Sequence, residues 1–538
     1  MTNIFEKVSK KRIGILAWVF SFACIIGLRM FIEFFLVSSR VFTFEDVIIE
    51  YLHNFLFFGI TFVLLWLFIS FILKINPREI AYLISLAFWI IILPPIADMI
   101  KTGGSVYWSF YALTNFKDVF TQFITFFGNL PQGIMYFGTR IGFSLAIIFC
   151  GILILLKTKS LFKAIFGAIC SYVIIFCMGL FPSIFTYVFH LFSGSKKLND
   201  IMDFNTVQLF GGSGRIFGVE FEKVSYVFAY NLNIVYYCFL FLLLALLFFW
   251  LDRAKFKAFL ENLRIPQIIY HFGLFVIGMG IGILVYPDNF NFNIFAVFAV
   301  LSLFGAIFLA WEASVICNDI YDFKIDKISN SWRPLPRKIF SVEEYKVFGV
   351  IMFLLSLLGG LVIGMKFMVL LFIYQILAWF YSSEPFRLKK IPLLASFLSS
   401  FASIIVLFMG FVLLSGDNNL AGLSWRIVIL LLATFTCSLP IKDFKDIEGD
   451  RKDGIWTIPV IFGEKIGRLI VASGVFLSFM LSVFLLNEAG LFLWALVFGS
   501  VAFLAIVRTE IKNTKVFWWI LGLIFIYLLL LIKIIFLK

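Results

Sequence analysis

Apolar residues fill the chain in long stretches, separated by short polar segments that carry most of the charge. A stretch of about 20 apolar residues is what an α-helix needs to cross the ~30 Å hydrocarbon core of a bilayer. Six such runs fall at about 13–37, 52–74, 79–100, 133–156, 163–190 and 226–250. A basic break, LDRAKFKAFLENLRIP (251–266), follows them. Nine more runs lie at about 266–287, 292–317, 346–365, 367–382, 391–416, 424–441, 467–487, 489–508 and 516–536. The pattern predicts an all-α, polytopic helical membrane protein with about 15 transmembrane helices. It divides into an N-terminal membrane domain (1–250, about six helices), a cytoplasmic linker (251–265) and a nine-helix domain (266–538). The amphipathic stretch 105–128 is expected to lie at the interface or re-enter without spanning.

Composition supports the class. Hydrophobic residues make up 62% of the chain and charged residues 14%, against ~45–50% and ~25% in soluble domains, so a soluble enzyme is excluded. The formal charge of +13 raises the question of which membrane face holds it, and no nucleic-acid partner is expected. With the N-terminus inside, 31 of the 44 Lys and Arg fall in cytoplasmic segments and 11 outside, leaving Arg29 and Arg140 within spans. The reading is therefore an integral membrane protein in contact with membrane lipids, its N-terminus cytoplasmic and its C-terminus outside. The basic start (Lys7, Lys10, Lys11, Arg12) precedes a run too long for a secretory leader, so that run is expected to be the first membrane helix. The seven cysteines, odd in number and without Cys-x-x-Cys, read as buried small hydrophobes.

The candidate chemistry lies where the chain departs from apolarity. Of fifteen Asp, seven lie within 319–326 and 443–453. Both windows contain Asp-x-x-Asp-x-x-x-Asp, as Asp319, Asp322 and Asp326 and as Asp443, Asp446 and Asp450, at an offset of 124. Spacings of three and seven place each set on one helical face. Four predicted spans separate the sets, so both belong to the same cytoplasmic side, each at the end of a span. Like charges so close call for a cation that prefers oxygen, and Mg²⁺, which shares its coordination with water and phosphate, suits them. Basic residues crowd the same loops, including Arg333, Arg387, Lys389 and Lys442, and such cations neutralise a departing diphosphate.

At these residues the chain resembles the UbiA superfamily of intramembrane prenyltransferases. The family pattern Asn-Asp-x-x-Asp-x-x-x-Asp matches Asn318, Asp319, Asp322 and Asp326, and the second aspartate motif matches Asp443, Asp446 and Asp450. Also similar are RPLP (333–336) followed by SVEEYK, YSSEPFRLKK (381–390) and EGDRKDGIWTIPVIFG (448–463). The resemblance covers about 260–538 and implies a nine-helix UbiA-like bundle. It further implies Mg²⁺-dependent transfer of a prenyl group from a prenyl diphosphate, through an allylic carbocation, to a hydrophobic or amphipathic acceptor in the membrane.

In that family's terms Asp319, Asp322, Asp443 and Asp446 carry the catalytic role. The metal is held by Asp319, Asp322, Asp326, Asp443, Asp446 and Asp450. Asn318 supports the first metal site; Arg333, Lys389 and Lys442 are diphosphate contacts; Tyr381 and Arg387 stand near the acceptor. The second motif is most similar to the branch holding digeranylgeranylglyceryl phosphate and chlorophyll synthases. That branch carries a Gly-rich segment where this chain reads IPLLASFLSS (391–400). Aromatic quinone precursors, glycerol-phosphate lipids and sugar phosphates stay open as acceptors.

A transporter or lipid-handling protein using the acidic sets as cation sites is the competing class. Transporters place such sites near the midplane on broken helices, whereas these sets lie at helix ends. Residues 1–250 hold no assigned motif. There Arg29 and Glu33, at i and i+4, read as a structural ion pair, Arg140 is expected to snorkel, Asp98 is expected at the interface, and His53, His190 and His271 read as interfacial or core.

Overall fold

This computed structural model describes residues 11–36, 43–103, 112–128, 136–212, 215–216, 219–220, 224–290, 292–416, 419–445, 447–452, 454–508 and 515–536. Apart from a ladder of two two-residue strands, Arg215–Ile216 and Val219–Glu220, the regular structure among the described residues is helical. Among the described residues fourteen helices are long and apolar enough to cross a membrane, and a shorter apolar stretch, Gly522–Ile534, lies in the last helix. The chain divides into two compact units. One comprises Met1–Ile216, Glu220–Phe256 and Val297–Ser302; the other comprises Phe217–Val219, Lys257–Ala296 and Leu303–Lys538.

The first unit contains α1 (Ile15–Leu36), α2 (Phe44–Leu73), α3 (Ala81–Leu86), α4 (Leu93–Thr102), α5 (Asp118–Ile124), α6 (Phe137–Thr158), α7 (Leu161–Gly179), α8 (Phe181–Ser193), α9 (Asp203–Gly211) and α10 (Val224–Leu251). Two predicted spans are broken, both at proline. The run 79–100 is α3, a 3₁₀ segment Ala87–Ile92 and then α4, which starts at Leu93 with Pro94 and Pro95 in its first turn. The run 163–190 ends its first helix at Gly179 and restarts at Phe181, because Pro182 has no N–H to give the helical ladder. Within 105–128 the described helix is the seven-residue α5, too short to cross a bilayer. Arg29 and Glu33 form the expected pair at 3.3 Å. Asp98, expected at the interface, is instead buried: its Oδ1 accepts the Gly138 N–H at 2.6 Å. Arg140 does not reach for water alone, since it donates to the Phe127 carbonyl at 2.6 Å.

The second unit begins in the linker with α11 (Arg253–Glu261), whose first residues belong to the first unit's segment Glu220–Phe256. It continues with α12 (Ile265–Val285), α13 (Ile294–Tyr321), α14 (Phe323–Ser329), α15 (Val342–Ile363), α16 (Met365–Ser382), α17 (Leu394–Leu414), α18 (Trp425–Ser438), α19 (Ile447–Lys452), α20 (Ile458–Leu486), α21 (Phe492–Arg508) and α22 (Lys515–Phe536). Its tightest pairing is α12 on α17. A Cβ on Gly278 would lie 2.1 Å from the Leu407 carbonyl, and one on Gly410 2.0 Å from the Phe275 carbonyl. Small residues let two membrane helices approach backbone to backbone, where packing rather than the hydrophobic effect drives association. Helices α20 to α22 close the unit around Val475, Phe479, Ala495, Ala502 and Tyr527. Gly463, the last residue of the EGDRKDGIWTIPVIFG segment, kinks α20 at φ 74°, a conformation that a side chain would strain.

Candidate active site

The first acidic set sits where α13 ends. Its three carboxylates do not share one helical face as the spacing predicts, because the helix breaks at Asp322 (φ −92°, ψ 7°) and restarts as α14. The break sends them two ways. Asp319 is 1% exposed and enters a closed polar shell. Its Oδ2 accepts from Asn262 Nδ2 at 2.9 Å and from the Tyr345 hydroxyl at 3.3 Å. Its Oδ1 accepts from Arg264 at 2.8 Å and Arg333 at 3.0 Å. Asp322 and Asp326 instead line a cavity of about 740 Å³.

Each cavity carboxylate has a cation beside it. Arg333 Nη1 serves Asp326 at 2.6 Å as well as Asp319, and Asn330 Nδ2 donates to Asp326 Oδ1 at 3.0 Å. Burial pushes the Asp326 carboxyl above its usual range, with the Arg333 guanidinium opposing the rise. Asp322 accepts from Arg387 at 3.2 Å and from the Lys389 ammonium, and Lys389 also reaches Asn318 Oδ1 at 3.4 Å. Ser382 donates to the same Asn318 oxygen at 3.4 Å. The loop bearing Arg387 and Lys389 is joined to the segment after the second motif by a Trp456 N–H to Lys390 carbonyl bond of 3.3 Å.

The second set follows α18 through a 3₁₀ segment, Leu439–Lys445, so it too is not one continuous helical face. Lys442, Asp443 and Asp450 line the same cavity, together with Asn318, Tyr381 and Lys389. The Lys442 ammonium lies 5.8 Å from the centroid of the Tyr381 ring. Asp446 lies outside the described residues.

Below this charged rim the cavity turns apolar, between Leu274, Ile277, Val315, Leu398, Phe435 and Phe525. One polar pair interrupts that wall. His271 Nδ1 is 2.6 Å from the Gln267 carbonyl, which can only accept, so Nδ1 carries the proton and Nε2 accepts from the Tyr374 hydroxyl at 3.1 Å. The α17 and α18 walls add Ser396, Ser399, Ser403, Thr434 and Ser438.

Asn262, Arg264 and Tyr345 are site residues that the sequence analysis does not name. The first two belong to the linker and touch Asp319 across 57 and 55 positions, a separation that no local spacing encodes. Tyr345 did carry a signal. It follows the Ser-x-x-Glu capping box of α15, in which Ser341 Oγ accepts the Glu344 N–H at 3.2 Å and Glu344 accepts the Ser341 N–H at 3.0 Å.

A membrane-embedded cavity with a rim of carboxylates, Lys and Arg over an apolar interior defines a protein that handles an amphiphile with a polyanionic head. Residues 273–529 belong to the UbiA prenyltransferase family, and the protein is an integral membrane prenyltransferase. Among similar proteins is the digeranylgeranylglyceryl phosphate synthase of Methanocaldococcus jannaschii, 29% identical over 218 residues, 39% of this chain and 69% of that one. That of Methanococcus aeolicus is 27% identical over 271 residues, 48% of this chain and 89% of that one. Similar solved structures include a UbiA homologue from Archaeoglobus fulgidus bound to GPP and Mg²⁺. It is 19% identical with a TM-score of 0.42, and the match covers 51% of this chain and 96% of that one.

Proposed function

We propose that residues 266–538 transfer a prenyl group from a prenyl diphosphate to an acceptor held in the bilayer, with Mg²⁺ as cofactor. The observation that carries this reading is the single cavity whose rim is ionic and whose depth is apolar. The diphosphate belongs at the rim and the isoprenoid chain below it, where Phe435 and Phe525 exclude water and offer ring faces to a cation.

The donor set fits Mg²⁺. Asp322, Asp326, Asp443 and Asp450 bring carboxylate oxygens to the cavity lining, and Asn318 adds an amide oxygen. Mg²⁺ takes few carboxylates and keeps water and phosphate oxygens in its remaining positions. Bound there, Mg²⁺ supplies Lewis-acid neutralisation of the leaving diphosphate. The chain's own part is to place Arg333, Lys389 and Lys442 against that diphosphate and to hold the prenyl group dry, with Arg387 near the acceptor. Asp319 orients Arg333 from behind.

For the acceptor, a lipid bearing free hydroxyls of the glycerol-phosphate type is the reading the walls favour. Ser403 and Thr434 donate their hydroxyl protons to carbonyls one turn back, at 2.9 and 2.7 Å, which leaves their oxygens able to accept from an acceptor's hydroxyl.

The test is turnover of radiolabelled geranylgeranyl diphosphate by the purified protein with Mg²⁺ and a panel of acceptors. Asp322→Asn is expected to lower turnover by ~10²–10³-fold while leaving the elution profile of the folded protein unchanged. Diphosphate release at the parent rate in that variant overturns the assignment.

A further inference from the structure

An alcohol oxygen that captures an allylic carbocation becomes a protonated ether, and its extra proton must pass to a base. At the rim, Asp322 is engaged by Arg387 and Lys389 and Asp326 by Arg333, and on the proposed function these carboxylates turn to Mg²⁺. Below the rim, Ser314, Ser403, Thr434 and Ser438 line the wall, but hydroxyls are poor bases and these four already donate to backbone carbonyls. Among the described lining residues away from the rim, the side chain able to take up a proton is His271.

The imidazole is held in place for that use. Its Nδ1–H is bonded to the Gln267 carbonyl at 2.6 Å, and its ring packs on Trp311 with centroids 4.8 Å apart. Nε2 keeps its lone pair, directed at the Tyr374 hydroxyl 3.1 Å away. His271 and Tyr374 both border the cavity and are buried, at 5% and 4% exposed. Since the one Tyr374 hydroxyl proton points at Nε2, its oxygen can only accept from a hydroxyl that approaches through the cavity. His271 is seven residues along α12 from Arg264, and Tyr374 is eight residues before Ser382 in α16. At about 1.5 Å of rise per residue, the pair lies roughly 10–12 Å below the rim.

We propose that Tyr374 takes the acceptor's proton as the ether forms and passes its own proton to His271. The proposal rests on the prenyl transfer described above. A diphosphate standing on end beneath the rim would bring its first prenyl carbon to the depth of the pair. The bond from that carbon to the diphosphate oxygen breaks, and its electron pair leaves with the diphosphate. A lone pair of the acceptor oxygen forms the new C–O bond, and the electrons of the O–H bond stay on that oxygen. The proton moves to Tyr374 Oη while the tyrosyl proton moves to His271 Nε2. The imidazolium so formed keeps its Nδ1–H on the Gln267 carbonyl and loses the added proton to water as the products leave. Even a buried neutral imidazole suffices, because a protonated ether is a far stronger acid than imidazolium. Tyr374 is then a catalytic residue, and His271, acting through it, a positioning residue.

The test uses the full chain in detergent with Mg²⁺, radiolabelled geranylgeranyl diphosphate and 1-O-hexadecylglycerol 3-phosphate, whose free hydroxyl stands in for the acceptor. Donor consumed and ether formed are measured separately. In Tyr374→Phe, which removes one oxygen, and in His271→Phe, the fraction of consumed donor that ends as ether is expected to fall at least ~10-fold. The balance is expected as prenyl alcohol and elimination hydrocarbon. A merely structural role would lower both rates and leave that fraction unmoved. Should His271→Phe fail to fold, Tyr374→Phe carries the test. A parent-like fraction in Tyr374→Phe, whether both rates persist or both fall, overturns the proposal. Parent protein that consumes donor without forming ether removes the hydroxyl acceptor and this proposal with it, whereas parent protein that consumes no donor removes prenyl transfer itself.

Discussion

Arg333 is the residue on which the acidic site's electrostatics turn. One guanidinium nitrogen is shared by Asp319 and Asp326, both almost fully enclosed. Removing one partner of a buried pair leaves uncompensated charge and typically costs ~3–5 kcal/mol. Arg333→Met is therefore expected to lower the unfolding free energy by about that amount, read from urea titration in detergent; an unchanged midpoint would show that Asn262, Arg264 and Tyr345 suffice for Asp319 and Asn330 for Asp326. The importance of Asp319 was legible from its spacing, but its direction was not. Spacing assumes an unbroken helix, and the chain leaves helical geometry at Asp322. The linker residues Asn262 and Arg264 were hidden for a different reason: their partner is tertiary, and nothing local to the linker marks it.

Among elements, α12 and α17 depend on the absence of side chains at their crossing. Gly278→Leu would place its branch into the Leu407 carbonyl, so the helices must separate. A loss of thermal stability of several degrees is expected, together with loss of prenyl transfer, because both helices line the cavity. A Gly278→Leu protein with the parent melting profile would contradict the backbone-to-backbone packing. Helix positions were largely readable from apolar periodicity and length. The breaks at Pro94, Pro95 and Pro182 were readable only in principle, since a run of apolar residues stays apolar across a kink. Gly463 takes the positive φ that ends one helical segment and starts the next, between the apolar stretch Ile458–Phe462 and the charged Glu464 and Lys465.

For the whole molecule, the distribution of positive charge makes a claim about sides that cysteine labelling can check. In intact cells Trp332→Cys, in an expected cytoplasmic loop, should be protected from a membrane-impermeant maleimide, whereas Asp200→Cys, in an expected outside loop, should react. Both positions are exposed. The reverse pattern would invert the topology.

The rim pairings carry a thermodynamic consequence. With Arg333 on Asp326, and Arg387 and Lys389 on Asp322, a divalent cation or a diphosphate that reaches these two carboxylates and their basic partners alone must break an ion pair to bind. On the proposed function, the two arriving together would exchange partners: carboxylates would turn to the cation and the basic groups to the phosphate oxygens. The two ligands are then linked by a coupling free energy that is necessarily reciprocal. Mg²⁺ affinity should rise at least tenfold in saturating inorganic diphosphate, and diphosphate affinity by the same factor in saturating Mg²⁺. Independent affinities would mean that these ion pairs persist through binding. The protein would thus hold its reactive charge in escrow, indifferent to stray ions and responsive only to the pair.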